Sequence, residues 1–296
     1  MRMLQVLLIS LLFLFSADGK SETGHYVNGI EGIKAATIPG EGWYYRLYNI
    51  YYQADQLTDP NGDAIAGLNF DAEVRAMAHR LIRVTDTEIL GGRLFWDVVL
   101  PVIDTELDVG GQSFSDASFG DFFIEPFGLT WHGKQWDYAA AIGFYLPTGS
   151  YSPSEPASAG KDFYTMMISS GGTWYFDEQK SWSASILARY ETHSDKKDLD
   201  YEPGDDFHFE WGIGKSFSNF WEVGLIGYAQ WQLNVDKGDD VSEQQKAKDE
   251  VFAVGFEVNK FMPEMMLNTS LKVLTEFGAE DRSEGDVVSL TFTKIF

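Results

Sequence analysis

The sequence predicts an all-β protein, a 12-stranded antiparallel transmembrane β-barrel of the bacterial outer membrane. Three observations predict it: an export leader with no later apolar run of spanning length, twelve alternating segments, and connections that alternate between short and long.

The chain has 296 residues and begins "MRMLQVLLISLLFLFSADGK", with Arg2 followed by an apolar run from Leu4 to Phe15. That run is about 12 residues, well under the roughly 20 needed to span a bilayer as a helix. Ala17 and Gly19 follow as small residues of a cleavage site, so residues 1–19 read as a signal peptide.

The mature chain alternates with period two over 43–53, 68–83, 88–99, 119–131, 136–147, 162–176, 181–192, 206–217, 221–234, 250–262, 265–277 and 286–296. Such segments exceed the usual strand of a soluble sheet, about 5–6 residues, and match tilted membrane strands of about 9–11. In 221–234, Trp221, Val223, Leu225, Ala229, Trp231 and Leu233 share a face opposite Glu222, Gly224, Gln230 and Gln232. In 206–217, Phe207, Phe209, Trp211 and Ile213 oppose His208, Glu210, Gly212 and Gly214. Apolar faces that begin or end in aromatics, set against polar ones, describe a lipid-facing band with interfacial girdles and a polar lumen.

Short connections ("DTE", "HGKQ", "DEQK", "SFSN", "PE") alternate with mostly longer polar ones such as "DQLTDPNGDAIAG" and "DTELDVGGQSFSDAS". This is the short periplasmic turn and long extracellular loop of outer-membrane barrels. An even strand count puts both termini on the periplasmic side. Closure follows physically, because an open sheet edge in lipid leaves backbone groups unpaired. The last strand ends in Phe296, which suits recognition by the barrel assembly machinery. The domain reading is therefore 1–19 signal peptide, 20–42 N-terminal periplasmic or plug segment, and 43–296 barrel.

The formal charge is −23 and there is no cysteine. The charge excludes a nucleic-acid partner, and the missing thiols exclude Cys-zinc sites and thiol catalysis. The partners that remain are outer-membrane lipid, lipopolysaccharide and a small-molecule solute. Barrels can carry lipase chemistry, but His25, His79, His132, His193 and His208 have no accompanying nucleophile motif, so no enzyme and no catalytic residue is read. Asp55, Asp59, Asn61 and Asp63 do not fit a calcium loop, because Gly62 is misplaced for its turn. No metal site and no cofactor is expected.

Strand parity places Glu73, Arg75, His79, Arg93, Asp97, Asp121, Glu125, Arg189, Glu191, His208, Glu210, Glu222, Gln230, Lys272 and Glu276 in the lumen, with Phe123, Phe127 and Tyr145 on the same side. These are the candidate pore-lining residues. The segment before the first strand, "GHYVNGIEGIKAATIPGEGWYY", holds five glycines and the polar residues His25, Asn28, Glu31 and Lys34. From a periplasmic start it has the length and turn capacity to enter the lumen and pair with the charged wall. His25, Tyr26, Asn28, Glu31 and Lys34 are the candidate plug or gate residues.

"HYVNGIEGIKAATIPGEGWYY", "FGDFFIEPFGLTW", "WDYAAAIGFYLPTGSY" and "SLTFTKIF" together resemble the meta-pathway phenol-degradation family of outer-membrane transporters, over nearly all of the mature chain. Departures are a lone Pro39 before the first strand and "SAGKDFY" after "PTGSY". The resemblance implies localisation in the outer membrane and passive uptake of small, aromatic or hydrophobic molecules, and it supplies no catalytic residues. The alternatives left by the residues themselves are a structural or adhesive barrel without a useful pore, and an interfacial lipid-modifying enzyme.

Overall fold

In the computed structural model, residues 24–197 and 199–296 are described; the predicted signal peptide lies outside them. The strands are β1 (Gly42–Leu57), β2 (Phe70–Ile89), β3 (Gly92–Val109), β4 (Gln112–Phe119), β5 (Phe122–His132), β6 (Trp136–Leu146), β7 (Thr165–Tyr175), β8 (Trp182–His193), β9 (Asp206–Ser216), β10 (Trp221–Gln232), β11 (Glu250–Met262), β12 (Leu267–Glu280) and β13 (Ser283–Ile295). Each pairs antiparallel with its neighbour, and β1 closes on β13 from Tyr44↔Ile295 to Leu57↔Ser283. β4 and β5 both pair with β3, at 102–109 and 93–99 respectively, so they are one barrel strand broken at Gly120–Asp121. The wall is a closed antiparallel barrel of twelve strands, as the alternation predicts.

Two connections differ from the expected ones. The turn placed at "DTE" instead continues β2, and the chain reverses at Leu90–Gly91, both with positive φ (53° and 73°). A two-residue hairpin that follows the sheet twist needs that conformation, and Gly91 supplies half of it freely. The long loop expected after residue 99 is largely a second hairpin, turning at Gly110–Gly111 (φ 60° and 84°). Strand residues above the membrane carry polar side chains, so alternation alone reads them as loop. The break at Asp121 serves the 147–164 connection, since the Asp121 carboxylate accepts the backbone N–H groups of Gly149 and Lys161, each at 2.8 Å.

The outer face is apolar and ringed by aromatics. At the short-turn end Trp43, Trp136, Trp174, Trp182 and Trp221 are exposed. Towards the long-loop end Phe207, Trp231, Phe252 and Phe277 form a ladder across β9 to β12, with neighbouring centroids 5.5–6.2 Å apart. Two aromatic belts flanking an apolar band define the membrane position. The core faces inward, where Ile33, Tyr48, Ile226, Tyr228, Val251 and Leu274 cluster. One of them, Ile33, comes from the segment that precedes β1.

Candidate functional site in the barrel lumen

Residues 24–41 have no regular strand or helix and lie within the barrel. Gly24 and His25 meet residues at the long-loop ends of strands, while Thr37 meets Asp137 and Thr173, at 3.2 and 2.9 Å, near the short-turn ends. The segment thus runs the length of the lumen before β1 begins, beyond the position beneath the periplasmic mouth that its sequence location suggests. The wall makes room for it with small residues. A Cβ on Gly212 would come within 2.9 Å of Gly32 O and Ile33 Cα, and one on Gly214 within 2.5 Å of Ile33 Cγ2. Gly32 itself has φ +136°, and a Cβ there would overlap the Glu257 carboxylate.

The segment's polar groups are met one by one. His25 Nε2 lies 2.9 Å from Asp121 Oδ2 and its ring stacks on Tyr145 at 4.7 Å. Burial pushes the His25 imidazole down to about 4, against the opposing hydrogen bond to Asp121. The Tyr26 hydroxyl donates to Glu210, its ring stacks on His208 at 4.8 Å, and the Arg189 guanidinium lies 3.8 Å from the ring centroid. Asn28 Nδ2 donates to Gln230 at 2.6 Å. Glu31 binds Arg46 at 2.7 Å and Arg80 at 3.1 Å, and accepts the Tyr48 hydroxyl at 3.0 Å. Burial raises the Glu31 carboxyl, but Arg46, Arg80, Arg189 and Lys272 outweigh it and hold the group at about 2. Ile33 N–H donates to Glu257 at 2.6 Å, Lys272 Nζ donates to Ile30 O at 2.8 Å, and Lys34 Nζ meets Glu222 at 2.5 Å. Buried charges with partners on every side avoid most of the desolvation cost that isolated ones would meet.

Of the predicted lumen residues, Asp97, Asp121, Glu125, Arg189, Glu191, His208, Glu210, Lys272 and Glu276 are buried inside. Arg93 sits at the periplasmic mouth, 3.5 Å from Glu41. Glu73, Arg75 and His79 face outward, a correction. Ala76, Ala78 and Arg80 hold the inward parity of β2. Arg75 pairs with Glu73, and with Asp104 at 3.5 Å, on the exposed outer surface of the tall β2–β3 hairpin, and His79 accepts or donates to Tyr45 at 2.6 Å. Glu73 and Arg75 lie towards the long-loop end of that strand, where outward positions are polar too, so counting charges selects the wrong face. Phe127 also points outward. The pairing of β5 with β6 skips between Ile124 and Phe127, and the bulge around Pro126 reverses the alternation. Sequence reasoning missed Arg46, Tyr48, Arg80 and Glu257. For Arg46 and Tyr48 the signal was present as the alternation of "YYRLYNIYY"; for Arg80 it was hidden by the misassigned parity.

Beside the segment a cavity of about 280 Å³ remains. Its lining mixes apolar side chains (Phe95, Phe123, Met167, Leu187) with charged ones that are paired with one another, Arg46 and Arg80 with Glu31 and Lys272 with Glu257.

An aromatic-belted closed barrel with a polar lumen defines an outer-membrane β-barrel protein, and the chain resides in that membrane. Residues 54–292 match the family described as "Putative MetA-pathway of phenol degradation". The chain belongs to this family; the match begins within β1 and leaves the luminal segment outside it. Among solved structures, the fold is similar to the COG4313 outer membrane channel from Pseudomonas putida F1, with 13% identity, TM-score 0.79, and coverage of 92% of this chain and 100% of that one. It is also similar to the translocator domain of the autotransporter NalP from Neisseria meningitidis, with 9% identity, TM-score 0.52, and coverage of 87% and 90%. No curated protein matches the sequence.

Proposed function

We propose that this protein is a diffusion channel for small aromatic or hydrophobic molecules, constricted by residues 24–41 acting as a plug. The observation that carries the reading is the segment itself: it occupies the lumen through Glu31, Lys34 and its backbone groups, and leaves a cavity of about 280 Å³ beside it. A cavity near the lower end of ligand-sized pockets, about 300–1,000 Å³, suits a single-ring solute. Phe95, Phe123 and Met167 would receive the ring, while the paired charges of Glu31, Arg46 and Arg80 offer hydrogen bonds to a hydroxyl substituent. The family description and the channel named among similar structures support the same reading. In it the charged lumen serves permeation and holds the plug, with no catalytic role, and the chain is not an enzyme.

The test is single-channel conductance of the full chain and of a variant lacking residues 24–38, both reconstituted in planar bilayers. The deletion raises conductance and accelerates uptake of phenol into liposomes. Equal conductance in the two proteins would overturn the plug, and no phenol flux through either would overturn the channel.

A further inference from the structure

At the short-turn end of the wall, outward positions on alternate strands carry cations: Lys215 of β9, Lys260 of β11, Lys294 of β13 and Arg83 of β2. The registers relate them by one repeated step. Lys215 lies opposite Val223 and Val223 opposite Val258, and Lys260 is two residues nearer the turn. Lys260 leads through Thr269 to Phe292, and Lys294 is two residues nearer the turn. Lys294 leads through Tyr45 to Leu81, and Arg83 is again two residues nearer. Barrel strands tilt by about 35–45°, so a descent of about one residue per strand holds a constant depth. The four cations therefore form one level arc from β9 round to β2, with Cα atoms about 12 Å apart, across the closure of β13 on β1. The same step taken the other way from Lys215 reaches Trp174 of β7 and Trp131 of β5, where the rim turns aromatic.

The three lysines are held at this level by aromatic rings and neutral oxygens. Lys215 Nζ lies 5.0 Å from the Trp182 ring centroid and donates to Ser181 Oγ at 2.6 Å. Lys260 Nζ lies 5.0 Å from the Trp221 centroid and donates to Asn219 O at 2.8 Å. Lys294 Nζ donates to Met265 O at 2.5 Å, and the Arg83 guanidinium lies 5.5 Å from the Trp43 centroid. Among the described residues no carboxylate is within ion-pair distance of Lys215, Lys260 or Lys294. Asp177 acts on Lys215 only at longer range, its oxygens taken by Ser181 and the Trp182 N–H, and Glu41 reaches Arg83 only at 4.0 Å. In a chain with 45 acidic and 22 basic residues, three lysines without an acid on one rim stand out. At the opposite end Arg75, Lys197, Lys237 and Lys246 each meet a carboxylate. An ammonium has three protons to donate; each of these lysines gives one to the wall, and two remain.

We propose that this arc binds the headgroups of anionic phospholipids in the periplasmic leaflet of the outer membrane. The exposed Trp43, Trp182 and Trp221 mark the depth at which acyl chains give way to headgroups, and the cations stand beside those rings. A phosphodiester at that depth accepts the remaining ammonium protons, while the tryptophan rings and the lysine stems lie along the upper part of the acyl chains. A headgroup of net negative charge is favoured over a zwitterionic one, whose own ammonium would meet lysines with no carboxylate beside them. Snorkelling alone, which asks only that the charge reach water, makes no such distinction. The site lies on the outside of the barrel and is independent of the transport reading.

The test is native mass spectrometry of the full chain, released from detergent micelles that contain phosphatidylglycerol or phosphatidylcholine with the same acyl chains. The native chain binds phosphatidylglycerol roughly 10- to 100-fold more tightly. In the triple variant Lys215→Gln, Lys260→Gln, Lys294→Gln that preference falls to near one, with phosphatidylcholine bound as before, whereas Lys197→Gln with Lys237→Gln, at the long-loop end, changes neither. Folding is followed by heat-modifiable migration, and Lys260→Gln alone, with a loss of about fivefold, replaces the triple variant if that fails to fold. Equal binding of the two lipids by the native chain means that the lysines only snorkel, and overturns the proposal. So does a preference for phosphatidylglycerol that survives their loss.

Discussion

Glu31 Oε2 lies 2.7 Å from Arg46 Nη1, inside the barrel and 15 residues away along the chain. The same carboxylate meets Arg80 at 3.1 Å. One acidic group of the luminal segment thus neutralises two guanidiniums of the wall, and the contact is placed where the segment passes β1 and β2.

Replacing Glu31 by Gln keeps the shape and removes the charge. Breaking a buried pair from one side costs about 3–5 kcal/mol; the lower end applies here, because Arg80 keeps Asp97 at 2.6 Å. The expected outcome is an undocked segment in an intact barrel, read as protease cleavage between residues 24 and 41 together with raised conductance. Protection equal to that of the native chain would contradict this.

Acid should loosen the segment in two stages. His25 is held at about 4, below the ordinary histidine value of 6.5, so docking is fully favoured above 6.5 and weakens as pH falls from 6.5 to 4. Glu31 is held at about 2 against an ordinary 4.5, so its contribution is present above 4.5 and is lost as pH falls towards 2. The groups around His25 are Asp121, Thr165, Lys161 and His193. Conductance measured from pH 8 to pH 4 stays level to about pH 6.5 and then rises; Glu31→Gln, already loosened, shows a smaller rise.

Gly212 and Gly214 set the depth at which the segment sits. Gly212→Val places a side chain 2.9 Å or less from Gly32 O and Ile33 Cα, closer than the backbone can accept. The segment is displaced while β9 keeps its pairing with β8 and β10, since valine suits a strand. Raised conductance with unchanged heat-modifiable migration is the expected result, whereas Val at the lipid-facing Ile213 changes neither.

The sequence by itself determined the barrel. Period-two alternation in β5 to β13, aromatic ends and the paired short and long connections all follow from one physical demand, that strands in lipid bury their backbone bonds and show apolar faces outward. It also identified His25, Tyr26, Asn28, Glu31 and Lys34 as polar groups in need of partners. Only the tertiary structure decided which partners they have. Parity in β2 is ambiguous because Glu73 and Arg75 face outward towards the long-loop end while Ala76, Ala78 and Arg80 line the lumen, and the bulge near Pro126 moves Phe127 to the outside. The common level of Lys215, Lys260, Lys294 and Arg83 was equally hidden: residues on alternate strands reach one depth only through registers such as Lys215↔Val223, Lys260↔Thr269 and Tyr45↔Lys294. Alternation records which face a residue takes within its own strand; register and bulges, set by pairing across strands, decide what it meets.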